Sequence, residues 1–294
     1  MKMLFVPLFM IATTVFAADP SFIRVVRDKD KIPLTLETAT VTYAKGDGDD
    51  KVKLTAVAVV HIADKSYYAV LNRQFDQYDS VCYELVAPQG TVPTADHKSI
   101  MPHDILGKFL GLASQLQEID YKRPNFVHAD MSSDELSSKM GEKGDDFLTV
   151  ALFSLAESMR AQNLKRKEMR EKGIEPDEVR IELGDLLNPT KVKRMMAGTF
   201  DQDIEGTLGS TAAGYLIDAR NLAAMKVVDS QLESGKKNVA LFYGAAHFKN
   251  FHAEFKKRGF KAESVSWEKA WDMSRDDQGN EIQLLLKMLE NAQK

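Results

Sequence analysis

One unit occurs twice in this chain, and it restricts the possible folds more than any other feature. An apolar, strand-like run ends near a histidine; an amphipathic helix-like run and a second strand-like run follow. The first copy reads Leu54-Thr55-Ala56-Val57-Ala58-Val59-Val60-His61, then a helix-patterned stretch from Ser66 to Gln77, then Ser80-Val81-Cys82-Tyr83-Glu84-Leu85. The second reads Val239-Ala240-Leu241-Phe242-Tyr243-Gly244-Ala245-Ala246-His247, then a helix from Asn250 to Arg258, then a strand from Phe260 to Trp267. Parallel strands joined by crossover helices place their carboxyl ends on one edge of the sheet, where ligands collect. If both units share a sheet, His61, His247 and the Glu84 carboxylate meet despite their separation in sequence.

The flanking segments extend this frame. Thr38 to Tyr43 alternates β-branched or aromatic residues with small ones, Lys45 to Asp50 is a turn cluster, and Lys51 to Val60 is strand-like again. That pattern predicts a hairpin. Its acidic tip, Asp47, Asp49 and Asp50, lacks the ligand pattern and closing Glu of an EF-hand and reads as a solvated turn. Pro88 to Pro102 is a loop carrying His97, and Ile105 to Ile119 has helical spacing that predicts one helix, closed by Arg123-Pro124. Asn125 to His128 suggests a short strand, and Asp130 to Ser133 the entry to another helix. Further helices are expected over Asp145 to Glu171, Thr190 to Asp203, Thr211 to Glu233 and Glu281 to Gln293, with the charged stretch Lys165 to Lys172 projecting into solvent. The expected fold is α/β: a mixed central β-sheet with flanking helices, a β-hairpin near the N-terminus, and a helical insertion at about 100–235 between the two units. One domain over residues 18–294 would contain all of it.

The first residues resemble an export signal. Lys2 supplies a positive start, Leu4 to Phe16 is apolar, and Val15-Phe16-Ala17 suits cleavage after Ala17. The apolar stretch is short for a span of ~20 residues, so an uncleaved anchor is the lesser alternative. No later segment suits a bilayer. The expectation is a secreted or periplasmic protein with no stable membrane span after cleavage of residues 1–17. The formal net charge of −4 is spread along the chain without the basic stripe a nucleic-acid partner needs. Cys82 is the only cysteine, so no intramolecular disulfide can form and stability rests on core packing.

His61 and His247 lead the candidates for chemistry. Either alone reads better as a capping or loop histidine; the paired context shifts the balance toward function. Gly244, three residues before His247, permits backbone angles and close approach that a β-carbon forbids. Glu84 interrupts an apolar strand, and burying an unpaired carboxylate costs several kcal/mol or more, roughly. Its partner could be a metal ion held jointly with His61 and His247, or Arg220 or a lysine. Two imidazoles and a carboxylate suit zinc, manganese, cobalt or iron with open positions for water, which implies hydrolysis. Arg220 and Asn221 sit among apolar neighbours in a helix; Arg220 would pair with Glu84 or a substrate carboxylate, and Asn221 would orient water or a substrate carbonyl, unless both lie on the wet face. His128 and Asp130 follow the possible third strand and could add ligands or a general base, or Asp130 could be a turn residue. His97, His103 and His252 have no supporting context.

On Ala58-Val59-Val60-His61, Glu84, Arg220-Asn221 and Gly244-Ala245-Ala246-His247, in that order, the chain resembles the TraB/GumN/Tiki group. That group belongs to the wider superfamily with erythromycin esterase and the haem-binding ChaN proteins. The resemblance runs from about Val52 to Val265. Ala58 stands where the group usually has glycine, and Ala219 where an acid is common. The resemblance implies an α/β fold with the motifs in one cleft and a metal-dependent peptidase using manganese or cobalt on a peptide or protein substrate; the donor set leaves zinc open as well. Its alternative is a peptide- or haem-binding protein on the same fold.

Overall fold

The computed structural model describes residues 21–93, 102–142, 147–173, 185, 187–200 and 214–275. The leader, His97 and the tail helix expected at 281–293 lie outside these residues. The chain forms β1 (Ile23–Arg27), β2 (Pro33–Lys45), β3 (Val52–Val59), β4 (Ile62–Ala63), α1 (Lys65–Phe75) and β5 (Ser80–Tyr83). The middle supplies α2 (Pro102–Leu110), β6 (Ala113–Ser114), α3 (Gln115–Glu118), β7 (Phe126–His128), α4 (Ser133–Gly141), α5 (Phe147–Glu171) and α6 (Pro189–Ala197). A π-helical turn at Gly214–Ala219 leads into α7 (Arg220–Glu233), and β8 (Asn238–Gly244), α8 (Phe248–Lys257) and β9 (Lys261–Asp272) follow. No helix among the described residues is long and apolar enough to cross a membrane.

Seven strands make one mixed sheet. Strand β2 organises its antiparallel half. One edge of β2 pairs with β9, and the other takes β1 along its first half and β3 along its second. The β2–β3 hairpin turns at Gly46, whose φ of 78° lies in the left-handed region. A Cβ there would sit 2.7 Å from the Asp50 carbonyl oxygen, so the turn requires glycine. Beyond β3 the sheet continues in parallel as β8, β5 and β7. Strand β3 is parallel to β8 and antiparallel to β2, which is antiparallel to β9, so β8 and β9 also run the same way. Both sequence units are therefore strand–helix–strand crossovers in one sheet. The first spans β8, which inserts between β3 and β5; the second spans β3 and β2.

Burial on both faces explains why β3 and β8 read as nearly continuous apolar runs. Val57, Val59 and Phe242 pack with Tyr67, Leu71 and Phe75 of α1 on one face. Leu54, Ala56, Leu241 and Tyr243 pack on the other with Met225 and Val228 of α7 and Phe251 and Phe255 of α8. Each fully buried large apolar side chain contributes about 1.5–3 kcal/mol relative to exposure. The two crossover helices thus seal opposite faces and leave the carboxyl edge of the parallel strands to the site.

Several expected boundaries differ. The single helix over Ile105 to Ile119 is broken: α2 ends at Leu110, and Gly111 turns the chain at φ 66°. The chain then pairs β6 with β4 before the short α3. The helix expected to Asp203 ends at Ala197, and the one over Thr211 to Glu233 becomes α-helical only at Arg220. Strand β9 runs to Asp272, past the expected end at Trp267.

Candidate functional site

Strands β3, β8, β5 and β7 end side by side, and each delivers a polar residue just past its last pairing. These are His61, His247 (three residues past Gly244, the last paired residue of β8), Glu84, and Asp130. The two histidine motifs reach the edge differently. After β3 the chain bends once, leaving His61 exposed; after β8 it winds a 3-10 turn, Ala245–His247, which buries His247. Ala58 is not part of a turn. It lies in β3 opposite Tyr243, with its side chain in the core, so the site needs no glycine there.

Glu84 is the hub. Its Oε1 accepts from Nη2 of Arg220 at 2.6 Å, and its Oε2 accepts from the Gly244 backbone N–H at 2.6 Å. The Nε2 of His247 stands 3.4 Å from Oε1. Burial alone would raise the Glu84 carboxyl. The hydrogen bond and charge of His247, then the charges of Arg220 and His61, overcome that and hold it well below its ordinary range. Arg220 also grips Asp130, donating from Nε at 2.9 Å and from Nη2 at 2.6 Å. Burial works against the Arg220 cation, but Asp130 and Glu84 more than offset it and raise its pKa. The protein partner of Glu84 is therefore Arg220, which the sequence offered beside a metal ion and a lysine. Neither Arg220 nor Asn221 lies on a wet face; they are 8% and 3% exposed.

Both histidines are anchored by an amide. The Nδ1 of His247 lies 2.6 Å from Oδ1 of Asn221, whose Nδ2 donates to the His247 carbonyl at 3.1 Å. That second bond fixes the amide orientation, so Nδ1–H is the donor and Nε2 faces Glu84. The Nδ1 of His61 lies 3.1 Å from Oε1 of Gln115, whose Nε2 donates to the Tyr121 hydroxyl at 2.9 Å. The Tyr121 hydroxyl can donate or accept, so the Gln115 amide holds the His61 ring without fixing its tautomer. Asn221 is thus a positioning residue for His247, its amide spent at both ends, rather than a group aimed at water or a substrate carbonyl. Sequence reasoning missed Gln115 and Tyr121. The one available signal was a glutamine beside an apolar helical stripe.

The remaining candidates separate clearly. Asp130 joins the site through Arg220, and the helix after it is capped instead by Ser132, in a box with Glu135. His128 points its Nε2 at the Leu85 carbonyl, 2.5 Å away, and its buried Nδ1 meets no partner among the described residues; it supports the loop after Glu84. His252 is a core residue held by Tyr43 through Nδ1 at 2.8 Å.

Gly244 gives the site its open centre. A Cβ there would lie 3.2 Å from Glu84 Oε2, 3.7 Å from His247 Cδ2 and 3.9 Å from His61 Cε1. Its φ of −53° suits any residue, so glycine is required here for space and not for backbone angle. Three features of this centre suit a divalent ion. Two buried carboxylates share one guanidinium, which leaves a negative charge for a protonated His247 or an ion to balance. The Asn221 amide holds His247 through Nδ1–H, so an ion would bind at Nε2 in place of the proton Nε2 shares with Glu84. Donor atoms bonded at about 2.0–2.1 Å to a four-coordinate ion stand about 3.3–3.4 Å apart, the separation seen between His247 Nε2 and Glu84 Oε1. The fit is one of chemistry and charge rather than a preassembled cage: among the described residues, no three such side chains are grouped closely enough to hold a metal as they stand. No family model matches the chain, and no curated protein or solved structure is similar to it.

Proposed function

We propose that the chain is an exported hydrolase of the TraB/GumN/Tiki type, acting on peptides with a divalent ion of manganese, cobalt or zinc. His61, Glu84 and His247 would hold the ion. The observation that carries this reading is the convergence of those three side chains on the space in front of Gly244. Export rests on the leader pattern, Lys2 followed by Leu4 to Phe16 and Ala17.

A bound divalent ion would lower the pKa of its water and polarise the scissile carbonyl. The chain's own groups have distinct tasks. Glu84 stays ionised at neutral pH, so it serves as a fixed negative charge and not as a proton acceptor poised near neutrality. Among the described residues, four of the five Arg220 N–H groups are engaged, so the second one on Nη1 could donate to a substrate oxygen at the cleft. Asn221 and Gln115 hold the imidazoles in register. Asp130 keeps the guanidinium in place.

The test is metal content and peptide cleavage together. Stripped protein reloaded with manganese, cobalt or zinc should retain a single ion per chain after gel filtration and should cut unstructured peptides. The double variant His61→Ala, His247→Ala should lose both. Unchanged metal content in that variant would refute the ligand assignment. A Soret band on titration with haem, abolished by His61→Ala, would replace the hydrolase with a haem carrier.

A further inference from the structure

Two cavities meet at the site. The larger, of about 410 Å³, and the smaller, of about 260 Å³, have His61, Glu84 and Arg220 in common. The reacting centre therefore lies where the two join, and a substrate held there extends into both. Their walls differ. Away from the shared residues the smaller cavity presents Gln115 and Ser114 beside Leu85, Val86 and Leu116. The larger is walled by Ile23, Leu106, Met196, Phe200, Ile217 and Trp271, and among the described residues no charged side chain lines it beyond those at the centre. The only polar atom of the Trp271 ring is consumed, since Nε1 donates to the Ile62 carbonyl at 2.7 Å. Phe200 stands edge-on to that ring at 5.7 Å, which completes an aromatic corner. Such a wall offers an entering polar group no partner, and a charge there would lose its water without compensation. Its volume lies in the range of pockets that enclose a small ligand.

We propose that the larger cavity is a specificity subsite for a bulky apolar side chain, aromatic or long aliphatic, adjacent to the scissile bond. This rests on the hydrolase reading for its place in a reaction, but the subsite has a binding signature of its own. The smaller cavity receives the other side of the bond, where Gln115 and Ser114 favour a small or polar residue. Recognition is then asymmetric, and it is set by α6, by Phe200 in the turn after it and by β9 rather than by the ion-binding end.

The experiment pairs binding with cleavage in the full chain. N-acetylphenylalaninamide and N-acetylglycinamide are titrated by ligand-observed NMR into wild type, Phe200→Glu and Met196→Glu. Both positions are only partly buried and neither belongs to the polar site, so each variant should fold, which its thermal melt checks. The phenylalanine probe should bind wild type about tenfold more tightly than the glycine probe, and each variant should erase that difference. Equal binding of the two probes, or variants that bind like wild type, would overturn the subsite. Metal-loaded wild type is then given a random peptide mixture, and new termini are read by mass spectrometry. Phe, Leu, Met or Trp should be enriched on one side of the cut, with the enrichment lost in Phe200→Glu. Cuts without that enrichment would reject the subsite and keep the hydrolase. Selective binding without any cuts would keep the subsite and reject the hydrolase.

Discussion

At the scale of single residues, the site is a charge balance around one guanidinium. Arg220 touches two carboxylates that are almost fully buried, at 9% and 0% side-chain exposure for Glu84 and Asp130. Removing one member of such a set leaves charge stranded in low dielectric, a loss of about 3–5 kcal/mol. Arg220→Met should therefore lower the unfolding free energy in urea by about 3–5 kcal/mol. Adding Glu84→Gln should return part of it, because one stranded charge goes with it; a double variant as unstable as the sum of the singles would contradict this coupling. Glu84 also predicts a pH dependence. Its folded pKa lies below the ordinary 4.5, so its contribution is complete above that value. As pH falls below about 4.5 the unfolded chain takes up a proton that the native chain refuses, and stability drops. Metal-free Glu84→Gln should show a shallower fall in stability below that pH than wild type, measured by urea midpoints at a series of pH values. Much of this was legible in the sequence, since an acid within an apolar strand needs a partner and Arg220 was among those named. The grip of Arg220 on Asp130 was not, because nothing local links a loop after a three-residue strand to the start of a distant helix.

At the scale of elements, a broken helix does as much for the site as the repeated units. The apolar positions from Ile105 to Ile119 fit one continuous helix, and periodicity cannot reveal that Gly111 turns out of it. The turn lets Leu112 donate back to the Gly107 carbonyl at 2.8 Å, lets β6 pair with β4, and sets the Gln115 N–H on the His61 carbonyl at 2.9 Å. The Gln115 side chain then reaches the His61 ring. A residue with a Cβ pays about 1–2 kcal/mol in the left-handed region. Gly111→Ala should therefore destabilise the protein by about that amount and weaken metal retention by loosening His61, while Gly141→Ala, inside α4 with no atom within 4 Å of its new Cβ, should not. Equal metal affinity in the two variants would show that the break does not position His61. The crossover units themselves were readable because strands covered on both faces and helices with one buried stripe leave strong patterns. Strand β1 was not, because its five residues are only partly buried and alternate weakly.

At the scale of the whole molecule, the site cannot exist without the sheet. Its residues come from the ends of β3, β5, β7 and β8 and from the first turn of α7, and the second crossover seals the sheet by pairing β9 along β2. Loss of any of these pairings separates ligands that no local segment holds together. An ion bound by His61, Glu84 and His247 thus recognises the assembled sheet and not a loop, so its binding energy is folding energy. At a free concentration a hundred times its dissociation constant the ion should add about 2.7 kcal/mol to the unfolding free energy. Far-UV circular dichroism and the fraction of retained ion, followed through the same urea titration, should then trace one transition whose midpoint rises with ion concentration. Release of the ion at a urea concentration well below the loss of secondary structure would mean that the strand ends part before the sheet does. The double variant His61→Ala, His247→Ala should unfold at a midpoint independent of the ion, because the sheet that remains has nothing left at its edge to bind it.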